Sequence, residues 1–240
     1  MQNRYTGDIG DFGKLGLLRR LSMSGLSIGV NWYLTPDETH NNDGSHINYL
    51  KKSSFSDCDK QLWTVLGQIV DSGKRAVSEL DRPDILSASF YSQILDFTGA
   101  GKSERQTIRS QWHSHAVQRL RNCDIIFVDP DNGLIVPSQD GKPKSSKYVL
   151  PSELADYYNA GASVIYYQHK ARLNDEFYIE KNKQLISSGA FPGAESIGLK
   201  FISTSQRYYF FLMHPEHSNL ISHCIEKMLN SPWKKYFVQI

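Results

Sequence analysis

The stretch DIIFVDPDNGL, residues 124–134, decides the fold. Ile125, Ile126, Phe127 and Val128 form an unbroken apolar run, as a strand does when helices cover both faces of its sheet. The run stops in Asp129, Pro130, Asp131, Asn132 and Gly133, residue types that favour turns. In open α/β sheets, ligands and chemistry gather at the carboxyl ends of the strands. Asp129 and Asp131 therefore stand either at a working edge or in a plain strand-end turn, and the 11 residues alone do not separate the two.

Working outward, strands and helices alternate. Leucines at helical spacing predict a helix over 14–21, followed by a strand over 27–34 (SIGVNWYL) and a polar loop over 35–46 (TPDETHNNDGSH). Leu62, Val65, Leu66, Ile69 and Val70 predict a helix over 57–80, and a short strand follows over 86–91. Residues 103–121 read as a helix with a solvated basic face of Arg105, Arg109, Arg119 and Arg121. Beyond the buried strand, 133–148 is a polar loop expected to be mobile. Ser152 then caps a helix that closes at Gly161. A second buried strand, 163–169 (SVIYYQH), precedes a helix over 173–188 closed by Gly189. The strands 196–203 and 207–213, joined by the turn at 204–206, make an antiparallel hairpin, and a helix over 216–229 follows. His214-Pro-Glu-His217 has a metal-like spacing but reads better as a helix start. This order predicts one α/β domain over 1–240, with a mostly parallel sheet that ends in a C-terminal antiparallel hairpin.

Composition is that of an ordinary globular chain: 40% hydrophobic and 22% charged, with a net charge of +2. That balance excludes a strongly basic nucleic-acid-binding tail. Cys58, Cys123 and Cys224 are scattered and odd in number, so reduced thiols and a cytoplasmic location are expected. No apolar run reaches membrane-spanning length, and the polar start MQNRYTGD does not read as a signal peptide. Alternation sends Trp32 and Tyr33, and likewise Tyr166 and Tyr167, to opposite faces of the sheet. One of each pair is therefore expected in the core.

Three stretches carry a family resemblance. YTGDIGDFGKLGLL resembles the opening of the RlmJ-type ribosomal RNA adenine-N6 methyltransferases at the spacing of Gly7, Asp8, Asp11 and Lys14. IIFVDPDNG is similar to their strand ending in Asp-Pro-Pro-Tyr, and VIYYQHKARLNDEF to the strand and helix that follow. The resemblance implies a Rossmann-like methyltransferase fold, S-adenosylmethionine as cofactor and an adenine amine of nucleic acid as acceptor. It implies Asp129 as the catalytic carboxylate, Lys14 in contact with substrate or cofactor, and Asp11 in an N-terminal segment folded over the site. Two features depart from the pattern. The loop after the first strand has a single late glycine, Gly44, in place of a glycine-rich turn, and Pro-Asp-Asn replaces Pro-Pro-Tyr. Tyr5 and Tyr166 are the candidates to stack the base instead.

If parallel strands gather their ends on one edge, Asp37, Glu38, His40, Asn41, Asn42, Asp43 and His46 meet Asp129, Asp131, Asn132, Gln168, His169 and Lys170 there. In a methyltransferase, Asp37 or Glu38 takes the cofactor ribose, with Asn42 and His46 beside it. Asp129, Asp131, Lys14 and His169 serve the chemistry, and Tyr5, Asp11 and Asn132 contact the substrate. A hydrolytic reading uses the same groups: Asp129, Asp131 and His46 hold Mg²⁺ or Mn²⁺, which prefer oxygen ligands, for phosphodiester cleavage. A third reading is a non-catalytic nucleic-acid-binding or assembly subunit. Against it, ionisable groups clustered at a strand edge are costly to desolvate.

Overall fold

The computed structural model describes residues 1–38 and 44–240. A seven-stranded sheet draws its strands from Ile28 to Gln239. Its members are β1 (Ile28–Asn31), β2 (Ser89–Tyr91), β3 (Ile125–Val128), β6 (Ser163–His169), β7 (Glu195–Ile202), β8 (Gln206–Met213) and β9 (Phe237–Gln239). The spatial order is β2-β1-β3-β6-β8-β7-β9. The first four run parallel, with Ile125 beside Ile28 and Ser163 in register. The second strand of the hairpin, β8, inserts antiparallel against β6 and carries β7 outside it. The expected α/β architecture, mostly parallel with a C-terminal hairpin, is present. A further edge strand, β9, pairs antiparallel with β7 and had no clear pattern in the sequence.

Helices cover both faces. The helices α1 (Ile9–Ser22), α3 (Lys60–Asp71) and α7 (Pro215–Leu229) pack with Ile125, Phe127, Tyr209 and Phe211 on one side. On the other side α4 (Lys102–Leu120), α5 (Pro151–Asn159) and α6 (Asp175–Ile186) pack with Ile126, Val128, Tyr208 and Phe210. Alternate residues of β3 feed alternate layers, which is why its sequence is apolar without a break. Trp32 and Tyr33 do point to opposite layers, as do Tyr166 and Tyr167, but all four are buried.

Glycines set how closely α1 lies on the sheet. Gly10, Gly13 and Gly16 share one helical face at a spacing of three. A Cβ at Gly13 would stand 2.9 Å from the Phe201 ring, and one at Gly16 would stand 2.2 Å from Trp233. Those rings occupy the room that side chains would take. The same glycines obscure the helix start in the sequence: Asp8 caps α1 by accepting from the Gly10 and Asp11 amides, five residues before the expected position.

Other expected elements move. The strand over 27–34 ends at Asn31, because Tyr33 turns into the left-handed region at φ 44°. The helix over 57–80 is shorter than expected: α3, capped by Asp59, stops before Gly73 at φ 70°, and a separate short helix, α2 (Ser53–Ser56), precedes it. The loop over 133–148 is not a plain polar loop: Gly133–Leu134 (β4) and Tyr148–Val149 (β5) pair as a small parallel ribbon around two 3-10 turns. Nor is the α4 basic face wholly solvated. Arg109 is buried on Glu153, with its Nε 2.7 Å from Oε1 and its Nη2 2.7 Å from Oε2. His214 precedes α7 as the expected helix start, with Pro215 in its first turn.

Candidate functional site

A cavity of about 300 Å³ opens at the carboxyl edge of β1, β3 and β6, on the α1 side of the sheet. Its floor is an ion cluster. Lys14, one turn into α1, lies 2.5 Å from Asp129 Oδ2 and 3.1 Å from Asp11 Oδ1. All three are at least nine-tenths buried. Burial works against the Lys14 ammonium, but Asp129 and Asp11 together hold its pKa above the ordinary lysine value. Burial pushes the Asp11 carboxyl up to about 6; Lys14 pulls against this, while Asp8 and Asp129 add to it. Asp129 Oδ1 takes no hydrogen bond among the described residues, so this carboxylate keeps an acceptor beside the cavity.

The second part of the site is a cradle that holds the backbone of Met1. The Met1 ammonium donates to Tyr33 O at 3.0 Å and to Asp129 O at 3.1 Å, and pairs with Asp131 Oδ1 at 2.5 Å. Thr35 completes it, its N–H meeting Met1 O at 2.9 Å. The Met1 Sδ lies 3.7 Å from Lys14 Nζ. Gln2 extends the contact by donating to Asp131 Oδ2 at 2.9 Å and accepting from the Glu38 amide at 3.1 Å. Burial would raise the Asp131 carboxyl, but the ammonium, Lys147 and Gln2 hold it below its ordinary value.

The left-handed turn at Tyr33 aims that carbonyl into the cradle. Such a conformation costs a non-glycine residue about 1 kcal/mol or more, so neighbours must fix it. Asn31 Oδ1 accepts from the Tyr33 amide at 3.1 Å, and the Tyr33 hydroxyl donates to Glu153 at 3.1 Å. Arg109 holds Glu153 in turn, so a pair on the far layer shapes the site edge.

Of the residues expected here, Asp129, Asp131, Lys14, Asp11, Tyr5, Asn132, Glu38, His46 and His169 line the cavity. Asp131 belongs to the cradle rather than to Lys14. Asn132 is fixed through its backbone, its carbonyl accepting from Gln168 Nε2 at 2.9 Å. Asp37 does not line the cavity; it lies in a neighbouring hollow with Phe97 and Lys144 and accepts from the Arg4 amide. Tyr166 is buried in the opposite layer, where its hydroxyl donates to Asn182, so it does not face the cavity. Tyr167 lines it, and burial pushes the phenol up to about 12. Asn42, with His40, Asn41 and Asp43, lies outside the described residues.

Sequence reasoning passed over Met1, Gln2, Lys147 and Arg207. Lys147 reaches Glu38 at 2.6 Å and Asp131 at 3.7 Å from a loop read as mobile. Arg207 carried a signal, since it is a charged residue at the head of an otherwise apolar strand.

Two implied groups can be tested against these residues. Among the described residues, no group of three or more His, Cys, Asp or Glu is placed to hold a metal ion. Asp129 faces Lys14 and Asp131 faces the Met1 ammonium, so the donors named for Mg²⁺ or Mn²⁺ do not converge. The fit to S-adenosylmethionine is different. That molecule ends in an amino-acid ammonium and carboxyl group, which suit the acceptors and the Thr35 donor around the Met1 backbone, whereas its cationic sulfonium does not suit the place of the Met1 sulfur, 3.7 Å from the Lys14 ammonium.

No helix among the described residues is long and apolar enough to cross a membrane. No family model and no curated protein matches the chain. Among solved structures it is similar to protein LPL1258 from Legionella pneumophila, described as a DUF519 protein. The identity is 11%, the match covers 98% of this chain and 96% of that one, and the TM-score is 0.50. At that identity the likeness shows the fold, which is a mixed α/β sheet of Rossmann-like type.

Proposed function

We propose that the chain is a methyltransferase-like enzyme that uses S-adenosylmethionine and acts on an adenine amine of nucleic acid. The observation that carries this reading is the Asp129 carboxylate. Lys14 holds one oxygen, while the other takes no hydrogen bond among the described residues and borders the cavity. When bound, S-adenosylmethionine supplies an electrophilic methyl group. Asp129 Oδ1 accepts a hydrogen bond from the exocyclic amine, turns the nitrogen lone pair into the cavity, and stabilises the positive charge that develops there. Lys14 fixes the Asp129 carboxylate in place. Tyr5 and Tyr167 supply aromatic walls for the base. The Tyr33 and Asp129 carbonyls, Asp131 and Thr35 bind the methionine end of the cofactor.

Met1 and the cofactor exclude one another from the cradle. Binding therefore displaces the N-terminal residues, which lowers the apparent affinity by the fraction of chains with the cradle open. Together with the missing glycine-rich turn, this leads us to expect a small thermal shift with the methyl donor. The test is melting with S-adenosylmethionine, with Mg²⁺ or Mn²⁺, and with neither, alongside methyl transfer to an adenine-containing oligonucleotide. We expect stabilisation by the methyl donor and none by either metal, with transfer abolished in Asp129→Asn. Absence of both a donor-induced shift and transfer would overturn the proposal and favour the binding-subunit reading, whereas stabilisation by metal alone would favour hydrolysis.

A further inference from the structure

Arg207, the second residue of β8, stands at the cavity wall, opposite His169 of β6 in register. It is 6% exposed, yet no carboxylate lies within ion-pair distance among the described residues. Its only hydrogen bond there runs from Nη2 to Ser205 Oγ, and its Nε is buried without a partner. The face of Phe201, 5.7 Å away, is its remaining polar support. A buried, unpaired guanidinium is expensive, and side chains of this kind persist where a ligand completes them.

The carboxylates nearest in charge are already engaged. Asp8 caps α1 through the Gly10 and Asp11 amides, and Asp11 and Asp129 share Lys14. None forms an ion pair with Arg207: Asp8 and Asp11 favour its charge from a distance, but its fork is left without a carboxylate partner among the described residues. The helix also makes room for it: a Cβ at Gly10 would fall 1.9 Å from Arg207 Nη1, so only glycine lets the guanidinium lie there.

We infer that Arg207 is an anion anchor that receives a phosphate group of the substrate, with Ser205 setting the orientation of its fork. Planar guanidinium donors match phosphate oxygens in geometry and charge. The inference rests on the nucleic-acid reading of this cavity, and it places a substrate phosphate on the side of the pocket away from the Met1 cradle.

The test uses the full chain and inorganic phosphate, with no methyl donor, followed by calorimetry and by the rise in melting temperature on binding. One phosphate per chain is expected. Arg207→Gln should weaken binding by about tenfold or more, as loss of a charge-assisted pair does. Arg207→Lys should fall between the two, because it keeps the charge and loses the fork. Ser205→Ala, in a half-buried turn outside the strands, should weaken binding while leaving the fold intact, and it serves if Arg207→Gln does not fold. Phosphate bound equally well by native protein and by the Gln or Ala variant, or not bound by native protein at millimolar concentration, would overturn the inference. Because no methyl donor is present, phosphate binding that depends on Arg207 stands even where donor binding fails.

Discussion

Lys14 Nζ and Asp129 Oδ2 meet at 2.5 Å across 115 residues of sequence, one on the first helix and the other at the end of the central strand. The contact ties α1 to the carboxyl edge of the sheet and shares its ammonium with Asp11. Removing the ammonium leaves two buried carboxylates facing each other. Lys14→Met should therefore cost about 3–5 kcal/mol in denaturant unfolding, the range for breaking a buried pair from one side. Adding Asp129→Asn should recover part of that loss, because one uncompensated charge is then gone. A cost near zero for Lys14→Met would mean that water reaches the pair.

The glycine face of α1 makes a second prediction that helix propensity alone would get wrong. Alanine is the better helix former by about 1 kcal/mol, so Gly→Ala inside a helix usually stabilises. At Gly67 in α3 the new Cβ would meet only Leu50 Cδ2 at 3.7 Å, and stabilisation is expected. At Gly16 it would fall 2.2 Å from the Trp233 ring, so Gly16→Ala should lose about 1–3 kcal/mol by overpacking. Melting temperatures of the two variants should move in opposite directions.

The same helix marks where the sequence could be read and where it could not. Alternating apolar runs revealed the parallel strands because burial on both faces leaves a mark at every position, and β6 was found to the residue. Asp129, Glu38, His46 and His169 were legible as neighbours because parallel strands bring their ends together. The start of α1 was not, since glycines at 7, 10, 13 and 16 suggest a loop until Phe201 and Trp233 are known to lie against them. Lys147 and Arg207 reach the cavity through tertiary packing of a loop and a hairpin turn, which no local period encodes. Tyr33 was read as a strand residue because its left-handed turn is held in part by Glu153, 120 residues away, and by Arg109 behind it.

Those partners are testable at a distance from the cavity. Arg109 and Glu153 form a buried bidentate pair on which the Tyr33 hydroxyl rests. Arg109→Met strands Glu153 and should destabilise the fold by about 3–5 kcal/mol. Tyr33→Phe removes one hydrogen bond at a cost of about 1 kcal/mol. If the turn positions the cradle carbonyl, Tyr33→Phe should also weaken binding of the methyl donor while leaving phosphate binding unchanged. Equal donor affinity in the Phe variant would show that Asn31 alone fixes the turn.

Asp11 should leave a signature in the dependence of stability on pH. Its folded pKa of about 6 lies above the ordinary value of 3.8, because burial disfavours the charged form more than Lys14 favours it. A carboxyl raised on folding binds its proton more tightly in the native state. Its contribution to stability is therefore fully present below the ordinary value and is lost as pH rises through about 6. Asp131 acts with the opposite sign: it is held low by the Met1 ammonium and Lys147, so its contribution is present in neutral solution and lost on acidification. Comparison with Asp11→Asn isolates the first group. The stability of the Asn variant relative to native protein should rise between pH 4 and pH 7, by on the order of 1–3 kcal/mol, and level off above that. Chemical unfolding at several pH values checks it. A difference that does not change with pH would mean that Lys14 keeps Asp11 ionised throughout, and that the ion cluster on the cavity floor carries two full negative charges around its single lysine.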